Sequence, residues 1–414
     1  MLYSWILNLW SLLVRIYAPF LIRTRINKDL EHQNRYKERY GRTDLKRPTG
    51  DIIWFHGASV GESLSILPII ERIAKARPNV HFLITTTTLA AAKVLETRLN
   101  NDKILHQFLP FDSNIWVNKF LNHWQPKIAF FIESEIWPNL LKNIHKRQTK
   151  TYLLNARLSD KSLRNWKILG GFSKNLWRSF AGIYTQSAEF TKSFYQLGAS
   201  QAQTLGNIKL LSAPLPFNEG EYIYWKEKIG SRKCWIVAST HEGEEVQIIE
   251  VHKKLQEHFP DLLTIIAPRH IQRCDDICKI TDSLKIARFS SKSLESEDIL
   301  LVDAMAKLGV FYRICPIAFI GGSLIPQGGH NPLEPAVIGS FPIWGPYFFN
   351  FDDMMPLFEN LPCQQLTIAE LINTMRNYFS NPEQVNDLII TLQKRIATNQ
   401  QEISDKVNEI LEQI

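Results

Sequence analysis

The chain has 414 residues, of which 45% are hydrophobic and 21% are charged, and a formal net charge of +7. These proportions are those of a folded globular protein and exclude an intrinsically disordered chain. The length exceeds what one hydrophobic core ordinarily holds, so two domains of about 200 residues each are expected.

The positive charge is concentrated at the N-terminus. Residues 1–50 contain ten Lys or Arg and four Asp or Glu, which accounts for +6 of the total of +7. The remaining chain is therefore close to neutral. A nucleic-acid-binding protein spreads its basic residues along a binding face, so this distribution argues against that class of function.

The first 22 residues are apolar and aromatic. The stretch is just long enough to cross a bilayer, although Asn8, Arg15 and Pro19 interrupt it. It has no basic n-region and no small-residue cleavage site, so a cleaved signal peptide is not expected. We interpret residues 1–22 as a membrane anchor, spanning the bilayer or lying in its interface. Residues 23–50 would be a basic segment that holds the protein on the cytoplasmic face. The alternative is a helix packed on the protein's own core.

After residue 50, apolar runs alternate with amphipathic segments. Strands are predicted at 52–56, 80–85, 103–108, 127–132, 151–154 and 182–186. Helices are predicted at 62–76, 89–98, 115–123, 161–180 and 187–197. This alternation is typical of a parallel, doubly wound sheet.

A second series of the same kind follows. Its predicted strands are 234–238, 262–267, 284–288, 298–302, 316–320 and 341–344. Its predicted helices are 243–258, 270–282, 330–338, 351–359, 367–380 and 382–412. The proline-containing stretch 212–220 reads as a linker between a domain of residues 51–211 and a domain of residues 221–414.

Glu62 is the first candidate catalytic residue. It closes the segment His56-Gly57-Ala58-Ser59-Val60-Gly61-Glu62, which turns from a predicted strand into a predicted helix. The helix dipole is expected to lower the pKa of this carboxyl, leaving it ionised and able to act as a base. The alternative is an ordinary first-turn Glu with no catalytic role.

Glu133 and Glu135 follow the predicted strand 127–132, at the sheet edge where ligands bind in such folds. If the chain stays extended there, the two side chains point the same way. The alternative is a helix N-cap beside a solvated Glu. Lys209, at the domain junction, is either a phosphate ligand or a solvated lysine.

The second domain offers candidate phosphate and ribose ligands. Arg269 follows Pro268 at the end of a predicted strand and presents a planar fork of donors that suits a phosphate. Asn331 and Glu334 open a predicted helix, whose N-terminal amides favour an anion, and the carboxylate suits a ribose diol. Glu244 and its acidic neighbours are expected to play a structural role in the first turn of a helix.

Several chemistries have no support in the sequence. The chain contains no P-loop motif, and no G-x-G-x-x-G follows the predicted strand 52–56. The five cysteines are Cys234, Cys274, Cys278, Cys315 and Cys363, and no second pair stands at metal-ligand spacing. We therefore expect no metal and reduced, structural thiols in a cytosolic compartment.

Taken together, the motifs identify a family. The chain resembles the 3-deoxy-D-manno-oct-2-ulosonic acid (Kdo) transferases of Gram-negative bacteria along nearly its whole length. The matching stretches are the N-terminal apolar segment, 56–62, 109–112, 133–139, 155–159, 239–245, 268–270 and 321–335. No single motif decides the resemblance, but their order and spacing are highly specific.

The resemblance implies a GT-B glycosyltransferase fold, with two Rossmann-like domains facing a central cleft. Residues 51–211 would bind the acceptor and residues 221–414 the donor, CMP-Kdo. It implies inverting transfer of Kdo to a lipid A precursor (lipid IVA) in lipopolysaccharide biosynthesis, on the cytoplasmic face of the bacterial inner membrane. No metal, cofactor or nucleic acid is implied.

The resemblance also assigns roles to residues. Glu62 corresponds to the general base, and Glu133 and Lys209 to residues that support the transition state. The implied donor-binding residues are Pro268, Arg269, Met305, Ala306, Lys307, Gly321, Gly322, Ser323, Asn331, Pro332, Leu333 and Glu334.

Two stretches depart from the family pattern. The family commonly has Met-Gly-Glu-Leu where this chain has Met305-Ala306-Lys307-Leu308, so any contact from the missing Glu is lost. The family's Gly-Asn-Leu-Lys-Phe-Asp is here Gly206-Asn207-Ile208-Lys209-Leu210-Leu211, which keeps the lysine and loses the acid.

Two other classes of function stay open. One is another enzyme of the same fold, such as a UDP-sugar transferase or an epimerase, which a nucleotide-binding screen would distinguish. The other is a membrane-docked binding module without catalysis, which a turnover assay would distinguish.

Overall fold

The computed structural model describes residues 2–98, 101–281, 284–351 and 354–412, with side chains from Trp5 onward. It divides into two compact units. The first comprises Met1–Ser212 with Gln400–Ile414, and the second comprises Ala213–Asn399. Each unit contains one parallel β-sheet covered by helices.

The sheet of the first unit has seven strands in the order β3-β2-β1-β4-β5-β6-β7. The strands are β1 Ile52–His56, β2 His81–Thr86, β3 Ile104–Phe108, β4 Ile128–Ile132, β5 Lys150–Ala156, β6 Gly182–Thr185 and β7 Ala202–Thr204. The helices are α1 Leu2–Asn27, α2 Val60–Ser65, α3 Leu67–Ala76, α4 Leu89–Arg98, α5 Asn114–Trp124, α6 Pro138–Lys146, α7 Asp160–Ile168, α8 Gly170–Arg178 and α9 Ala188–Gln196. Its first six strands have the order of a doubly wound, Rossmann-like sheet.

The sheet of the second unit has six strands in the order β10-β11-β9-β8-β12-β13. The strands are β8 Cys234–Thr240, β9 Leu263–Pro268, β10 Ile286–Arg288, β11 Ile299–Leu301, β12 Ile317–Ile320 and β13 Phe341–Trp344. The helices are α10 Glu219–Ile229, α11 Glu244–Gln256, α12 Cys274–Ile280, α13 Leu308–Ile314, α14 Leu333–Ile338, α15 Met355–Phe358, α16 Ile368–Ser380 and α17 Pro382–Glu412.

Both sheets are buried on both faces, which is why their strands read as continuous apolar runs. Every residue of β1, β4, β12 and β13 is buried. Trp54 of β1 donates its indole N–H to Thr85 Oγ1 at 2.8 Å, and Trp235 of β8 does the same to Thr264 Oγ1 at 2.7 Å. These pairs satisfy the one polar group that each buried indole carries.

The strand order reverses at one place in each sheet. In the first unit the reversal lies between β1 and β4, and in the second between β8 and β12. In open α/β sheets ligands bind beyond the carboxyl ends of the strands at such a switch point. The loop bearing Glu62 follows β1, and the loop bearing Glu133 follows β4. The sheet topology therefore brings these two predicted residues together.

The predicted alternation of strands and helices is confirmed. A strand occupies part of every predicted strand range, and the short edge strand β7 was not predicted. Helices α6, α10 and α13 were also missed, because each is short or begins at a proline or in the predicted linker. The predicted helices 62–76 and 161–180 each divide into two. Residues 1, 282, 352, 353, 413 and 414 of the predicted ranges lie outside the described residues.

The end of the chain groups differently from the prediction, which gave all of residues 221–414 to the second domain. The last part of α17 packs in the first unit, where Gln400 Nε2 donates to Leu210 O at 2.7 Å. Ile403 is buried there against Gly206. The helical period of α17 gave its length correctly but carries no information about which sheet each turn packs on. The predicted linker is also shorter, since α10 already begins at Glu219.

Helix α1 has two apolar faces with different surroundings. Leu7, Ser11, Ala18 and Ile22 are buried in the first unit, and Ser11 Oγ accepts the Asn114 N–H at 2.9 Å. The opposite face is exposed and apolar: Ile6, Leu9, Leu12, Leu13, Ile16, Tyr17 and Phe20. Among the described helices, Trp5–Asn27 is long and apolar enough to cross a membrane by length and composition.

Part of the basic segment that follows has a structural role. Arg39 is buried, pairs with Glu31 at 3.1 Å and donates to the carbonyl oxygens of Thr87 and Leu109. Arg35 pairs with Glu38 at 2.9 Å. These arginines attach the segment to the first sheet, so the free charge is smaller than the sequence suggests.

Candidate active site

Glu62 lies in the first turn of α2, directly beyond the carboxyl end of β1. Ser59 is the N-cap of α2, and its hydroxyl accepts the Glu62 backbone N–H. The Glu62 carboxylate in turn accepts the Ala58 N–H at 2.8 Å and the Ser59 O–H at 2.7 Å. A side chain added at Gly57 would meet Glu62 and Ser63 backbone atoms at 3.1–3.2 Å, so this turn leaves little room for any other residue.

The structure corrects the expected pKa of Glu62. Burial, followed by the charge of Glu133, raises the pKa of the Glu62 carboxyl, although the hydrogen bonds from Ser59 and Ala58 oppose the rise. The residue is only 9% exposed, and this desolvation outweighs the helix terminus on which the sequence argument rested. A raised pKa brings a carboxylate closer to the strength that a general base needs near neutral pH.

Glu133 is buried between two cations. Its Oε1 lies 2.6 Å from Lys209 Nζ, and its Oε2 lies 2.8 Å from Arg157 Nε. Its backbone φ is +58°, so the chain is not extended here, and the condition under which Glu133 and Glu135 would point the same way is not met. Non-glycine residues in this conformation are strained and cluster at functional sites.

Glu135 has a different set of partners. His56 Nε2 lies 3.2 Å from Glu135 Oε2, and the Trp137 indole donates to the same oxygen at 3.0 Å. Burial raises the pKa of Glu135. The hydrogen bond and charge of His56, together with the hydrogen bond from Trp137, lower it by more than that rise, so the pKa lies below its usual value. Glu135 is therefore a partner that orients His56, which is fully buried beside Thr85.

Lys209 is positioned by two asparagines. Asn155 Oδ1 accepts the Ile208 N–H at 3.0 Å, and Asn207 Oδ1 accepts the Lys209 N–H at 3.0 Å. The lysine stem runs beside α2, since a Cβ added at Gly61 would lie 4.0 Å from Lys209 Cε. The first unit thus holds a buried carboxylate of raised pKa next to a carboxylate neutralised by two cations. Such an arrangement can accept a proton and stabilise an anion in the same place.

The second unit builds its own site at the β8–β12 switch point. Glu244, fully buried at the start of α11, accepts backbone N–H groups from His241, Gly322, Ser323 and Leu324 at 2.6–3.0 Å. A Cβ at Gly321 would lie 2.5 Å from Ser239 O, so only glycine permits this close approach of the two loops. The structural role predicted for Glu244 is therefore observed.

The predicted donor residues of this loop differ in availability. Ser323 is fully buried, and its hydroxyl accepts the Gly345 N–H at 2.9 Å and donates to Ile320 O. The Ser323 side chain therefore holds β12 and β13 together. Helix α14 begins at Leu333, with Pro332 as its N-cap, and not at residue 330 as predicted. Asn331 therefore precedes the helix, since a residue before proline disfavours the helical conformation.

Asn331 and Glu334 contact each other, with Asn331 Nδ2 donating to Glu334 Oε1 at 3.4 Å. Burial raises the pKa of the Glu334 carboxyl, while Asn331 and the nearby charge of Arg269 lower it in part. Arg269 itself is exposed beyond β9, with its backbone N–H bonded to Thr240 O. The three predicted residues are thus brought together at one edge of the second sheet.

A histidine pair, which the sequence argument missed, lies beside them. The rings of His241 and His330 stack with centroids 5.1 Å apart, and their Nε2 atoms are 2.9 Å apart. Burial, together with the charges of His241 and Arg269, lowers the pKa of His330 to about 4. One histidine can donate and the other accept only while the pair is at most singly protonated.

Among the described residues, no group of three or more His, Cys, Asp or Glu is arranged to hold a metal ion. The five cysteines are free thiols, and Cys234 and Cys315 lie 3.7 Å apart at their sulfur atoms.

Comparison with known proteins decides the family. A sequence profile described as "3-Deoxy-D-manno-octulosonic-acid transferase (kdotransferase)" matches residues 34–212. A 3-deoxy-D-manno-octulosonic acid transferase of Rickettsia felis is 36% identical over 87% of this chain and 78% of its own length. One from Rickettsia bellii is also 36% identical, over 91% of this chain and 90% of its own length.

The chain belongs to the Kdo transferase family. It is therefore a glycosyltransferase, and the resemblance found from the motifs is confirmed. Among solved structures, a glycosyltransferase from Rickettsia africae matches with a TM-score of 0.60 at 10% identity, covering 88% of this chain and 99% of that one. This likeness confirms the predicted fold class.

The departure from the family pattern at Met305-Ala306-Lys307 has a structural explanation in part. Ala306 has φ +60°, the conformation for which the family's usual glycine is suited. Lys307, where the family has Glu, pairs with Glu221 of α10 at 2.6 Å and lies over the Phe289 ring. Its ammonium is thus engaged within the domain, whereas Met305 is exposed.

Three contributors to the first site were not assigned roles from the sequence. Arg157 and His56 stood inside the matched motifs, but only the fold places them against Glu133 and Glu135. Asp112 is also buried and accepts the N–H groups of Asn139 and Leu140 at 3.1 and 2.8 Å, which fixes the start of α6. The signal for Asp112 in the sequence was its place at the end of the matched stretch 109–112.

Proposed function

We propose that this Kdo transferase moves Kdo from CMP-Kdo to a lipid A precursor, lipid IVA, with inversion and without a metal ion. The observation that carries the proposal is the buried Glu62 carboxylate, held by two donors and raised in pKa by burial and Glu133. It lies at the switch point of the unit to which the family resemblance assigns the acceptor.

Glu62 acts as the general base. It takes the proton of the acceptor hydroxyl as that oxygen forms a bond to the anomeric carbon of Kdo. The bond from that carbon to the phosphate of CMP breaks, and CMP leaves with the bonding electrons. Because the attacking oxygen and the leaving phosphate lie on opposite sides of the carbon, the configuration inverts.

Glu133, Lys209 and Arg157 act on the charge that develops. The Lys209 side chain is 23% exposed and the Arg157 side chain is 42% exposed. Both cations therefore face accessible space while they pair with Glu133. A fixed cation in a site from which water is partly excluded stabilises the negative charge of a leaving phosphate. Glu133 keeps these cations in place, and because one carboxylate pairs with two cations, one positive charge is left for the phosphate.

Arg269, Asn331 and Glu334 bind the CMP part of the donor. Arg269 is the exposed donor fork for the phosphate, and the Asn331–Glu334 pair suits the ribose hydroxyls. A monophosphate carries less charge than a diphosphate, so these groups can replace a metal ion. The transfer is assigned to the cytoplasmic face of the inner membrane, with α1 as the membrane-binding helix.

The test is a reconstitution of the purified chain with CMP-Kdo and tetra-acylated lipid IVA, followed by mass spectrometry of the lipid product. We expect addition of Kdo, an inverted anomeric configuration by NMR, and full activity in the presence of EDTA. UDP-sugars in place of CMP-Kdo test the alternative enzyme class, and they should give no product. Turnover with a UDP-sugar, or none with CMP-Kdo, would overturn the proposal.

A further inference from the structure

An apolar groove lies beside the candidate site in the first unit. It has a volume of about 330 Å³, and its wall includes Ile6, Leu7, Trp10, Trp137, Leu169 and Phe172. These residues come from α1, the loop before α6, and the start of α8. Apart from the Asp112 carboxyl at its edge, the groove is lined by apolar and aromatic side chains.

The groove opens onto apolar surface. Ile6 is 53% exposed and Leu169 is 43% exposed, and the neighbouring Ile168 is 82% exposed. The exposed apolar face of α1 continues from Ile6 along the helix to Phe20. A contiguous exposed apolar surface of this kind marks a binding or membrane-contact site.

The charge beside the groove favours an anionic lipid. Helix α7 ends at Ile168, immediately before Leu169 of the groove, and has three exposed cations: Lys161, Arg164 and Lys167. Its one acid is Asp160, so the helix is net positive. Cations next to an apolar groove match a ligand with a phosphorylated head group and a hydrocarbon chain.

The groove is also directly connected to the reacting residues. Ile136 and Trp137 line it, and they belong to the same short segment as Glu133 and Glu135. The Trp137 indole that forms the wall donates its N–H to Glu135 at 3.0 Å. On the other side, Asp112 accepts from Trp10 of α1 and from the start of α6, so the wall is fixed on both sides.

We propose that the groove between α1 and α8 binds an acyl chain of the lipid acceptor and so places the acceptor hydroxyl beside Glu62. The inference rests on the proposed function, because it concerns the acceptor of that reaction. It assigns to α1 a part in substrate binding that a membrane anchor alone would not have.

The test fills the groove without changing the polarity of α1. Ile6→Trp adds volume at the mouth, and Leu169→Trp fills it independently from α8. Ile223→Trp is the control, because Ile223 is exposed on α10 and belongs neither to the groove wall nor to the apolar face of α1. Initial rates are measured in detergent with lipid IVA and, separately, with the same phosphorylated disaccharide stripped of its acyl chains.

We expect Ile6→Trp and Leu169→Trp each to raise KM for lipid IVA about tenfold, the binding lost when roughly two CH₂ groups are displaced from an apolar site. KM for CMP-Kdo and for the deacylated acceptor should not change, and Ile223→Trp should behave as the unmodified chain. In the unmodified chain, the deacylated acceptor should have the higher KM.

Other outcomes contradict the inference. If both groove variants weaken only binding to anionic vesicles, the groove takes a bulk membrane lipid. If the two groove variants change only the molecular mass measured in solution, the groove binds a second copy of the chain. If lipid IVA and its deacylated form have equal KM in the unmodified chain, no acyl chain is recognised. Absence of Kdo transfer to either acceptor is a different result, since it rejects the proposed function itself.

Discussion

Lys209 forms an ion pair of 2.6 Å with the buried Glu133 at the carboxyl end of the first sheet. The charge of Glu133 is one of the causes that raise the pKa of Glu62, second only to burial. Lys209 is close to both carboxylates. Its ammonium pairs with Glu133, and its side-chain stem runs beside the first turn of α2, which carries Glu62. The ionisation of Glu62 therefore depends on its charged neighbours, which gives the site a measurable signature.

Replacing Glu62 with Gln should lower kcat by about 10²-fold or more, the usual contribution of a general base. Glutamine keeps the size and one acceptor oxygen of the side chain but cannot accept a proton under these conditions. The affinity for CMP-Kdo should be unchanged, because donor binding is assigned to the second unit. Initial rates and calorimetric titration measure the two quantities.

The control for this variant is Glu71→Gln, at an exposed position of α3. It should have the activity of the unmodified chain. A folded Glu62→Gln protein with near-normal kcat would remove Glu62 from the mechanism.

The pH dependence should report the raised pKa of Glu62. The active form is the carboxylate, so kcat/KM should fall as pH decreases through that pKa, at a higher pH than for an exposed Glu. In Lys209→Met the charge of Glu133 loses one of its two cationic partners, and the pKa of Glu62 should rise further. The acidic limb of the profile should therefore move to higher pH, whatever the loss in absolute rate.

Lys119→Met, at an exposed position on α5, is the control and should leave the limb in place. If the acidic limb moves to lower pH in Lys209→Met, loss of the lysine lowers the pKa of Glu62, which contradicts the prediction.

Arg269→Ala should weaken CMP binding by about 1.5–3 kcal/mol, the range for a hydrogen bond to a charged group. Its effect should be larger on CMP than on cytidine, because the guanidinium is assigned to the phosphate. Calorimetry with the two ligands measures this difference. Lys253→Ala, on the exposed side of α11, should change neither affinity. Equal losses for CMP and cytidine would place Arg269 away from the phosphate.

Ala306→Gly should be tolerated or stabilising, by up to about 1 kcal/mol. The left-handed conformation at φ +60° costs an alanine roughly 1–2 kcal/mol, and glycine avoids this while losing more entropy on folding. In contrast, Ala397→Gly, at an exposed position within α17, should cost about 1 kcal/mol. Denaturant unfolding of the two variants provides the comparison. Equal destabilisation of both would show that the backbone at 306 relaxes to accept alanine.

Membrane binding should depend on the exposed face of α1. The double variant Ile16→Glu and Phe20→Glu places two charges on that face and leaves the buried residues Leu7, Ser11 and Ala18 intact. Burial of an apolar face and attraction to anionic lipid are additive, so binding to anionic vesicles should fall more than tenfold. Co-sedimentation measures it. Ile223→Glu on α10 should bind as the unmodified chain, and full sedimentation of the double variant at high salt would exclude this face.

Deleting residues 1–22 would test membrane binding less specifically than this double variant. The deletion would also remove Ser11, whose hydroxyl accepts the N–H at the start of α5, and Trp10, which bonds Asp112. Loss of activity in such a truncation would mix membrane release with damage to the first unit.

The sequence by itself determined the fold class, the strand positions and the family. Strands buried on both faces of a parallel sheet must be continuous apolar runs, so Ile52–His56 and Ile317–Ile320 were visible without any tertiary information. Glu62, Glu133 and Arg269 were found because each follows a predicted strand, where this fold binds ligands. Asn331 and Glu334 were found because they open a predicted helix, and Lys209 because it lies at the predicted domain junction.

The tertiary structure alone decided how those residues behave. The pKa of Glu62 is raised and not lowered, because burial depends on what packs over a helix terminus and a local sequence motif does not record it. Arg157 reaches Glu133, and Gln400 reaches Leu210, across large separations in the chain. Both faces of α1 carry apolar residues in the sequence. Only the packing of Leu7 and Ser11 against the first unit shows which face is left to meet a lipid.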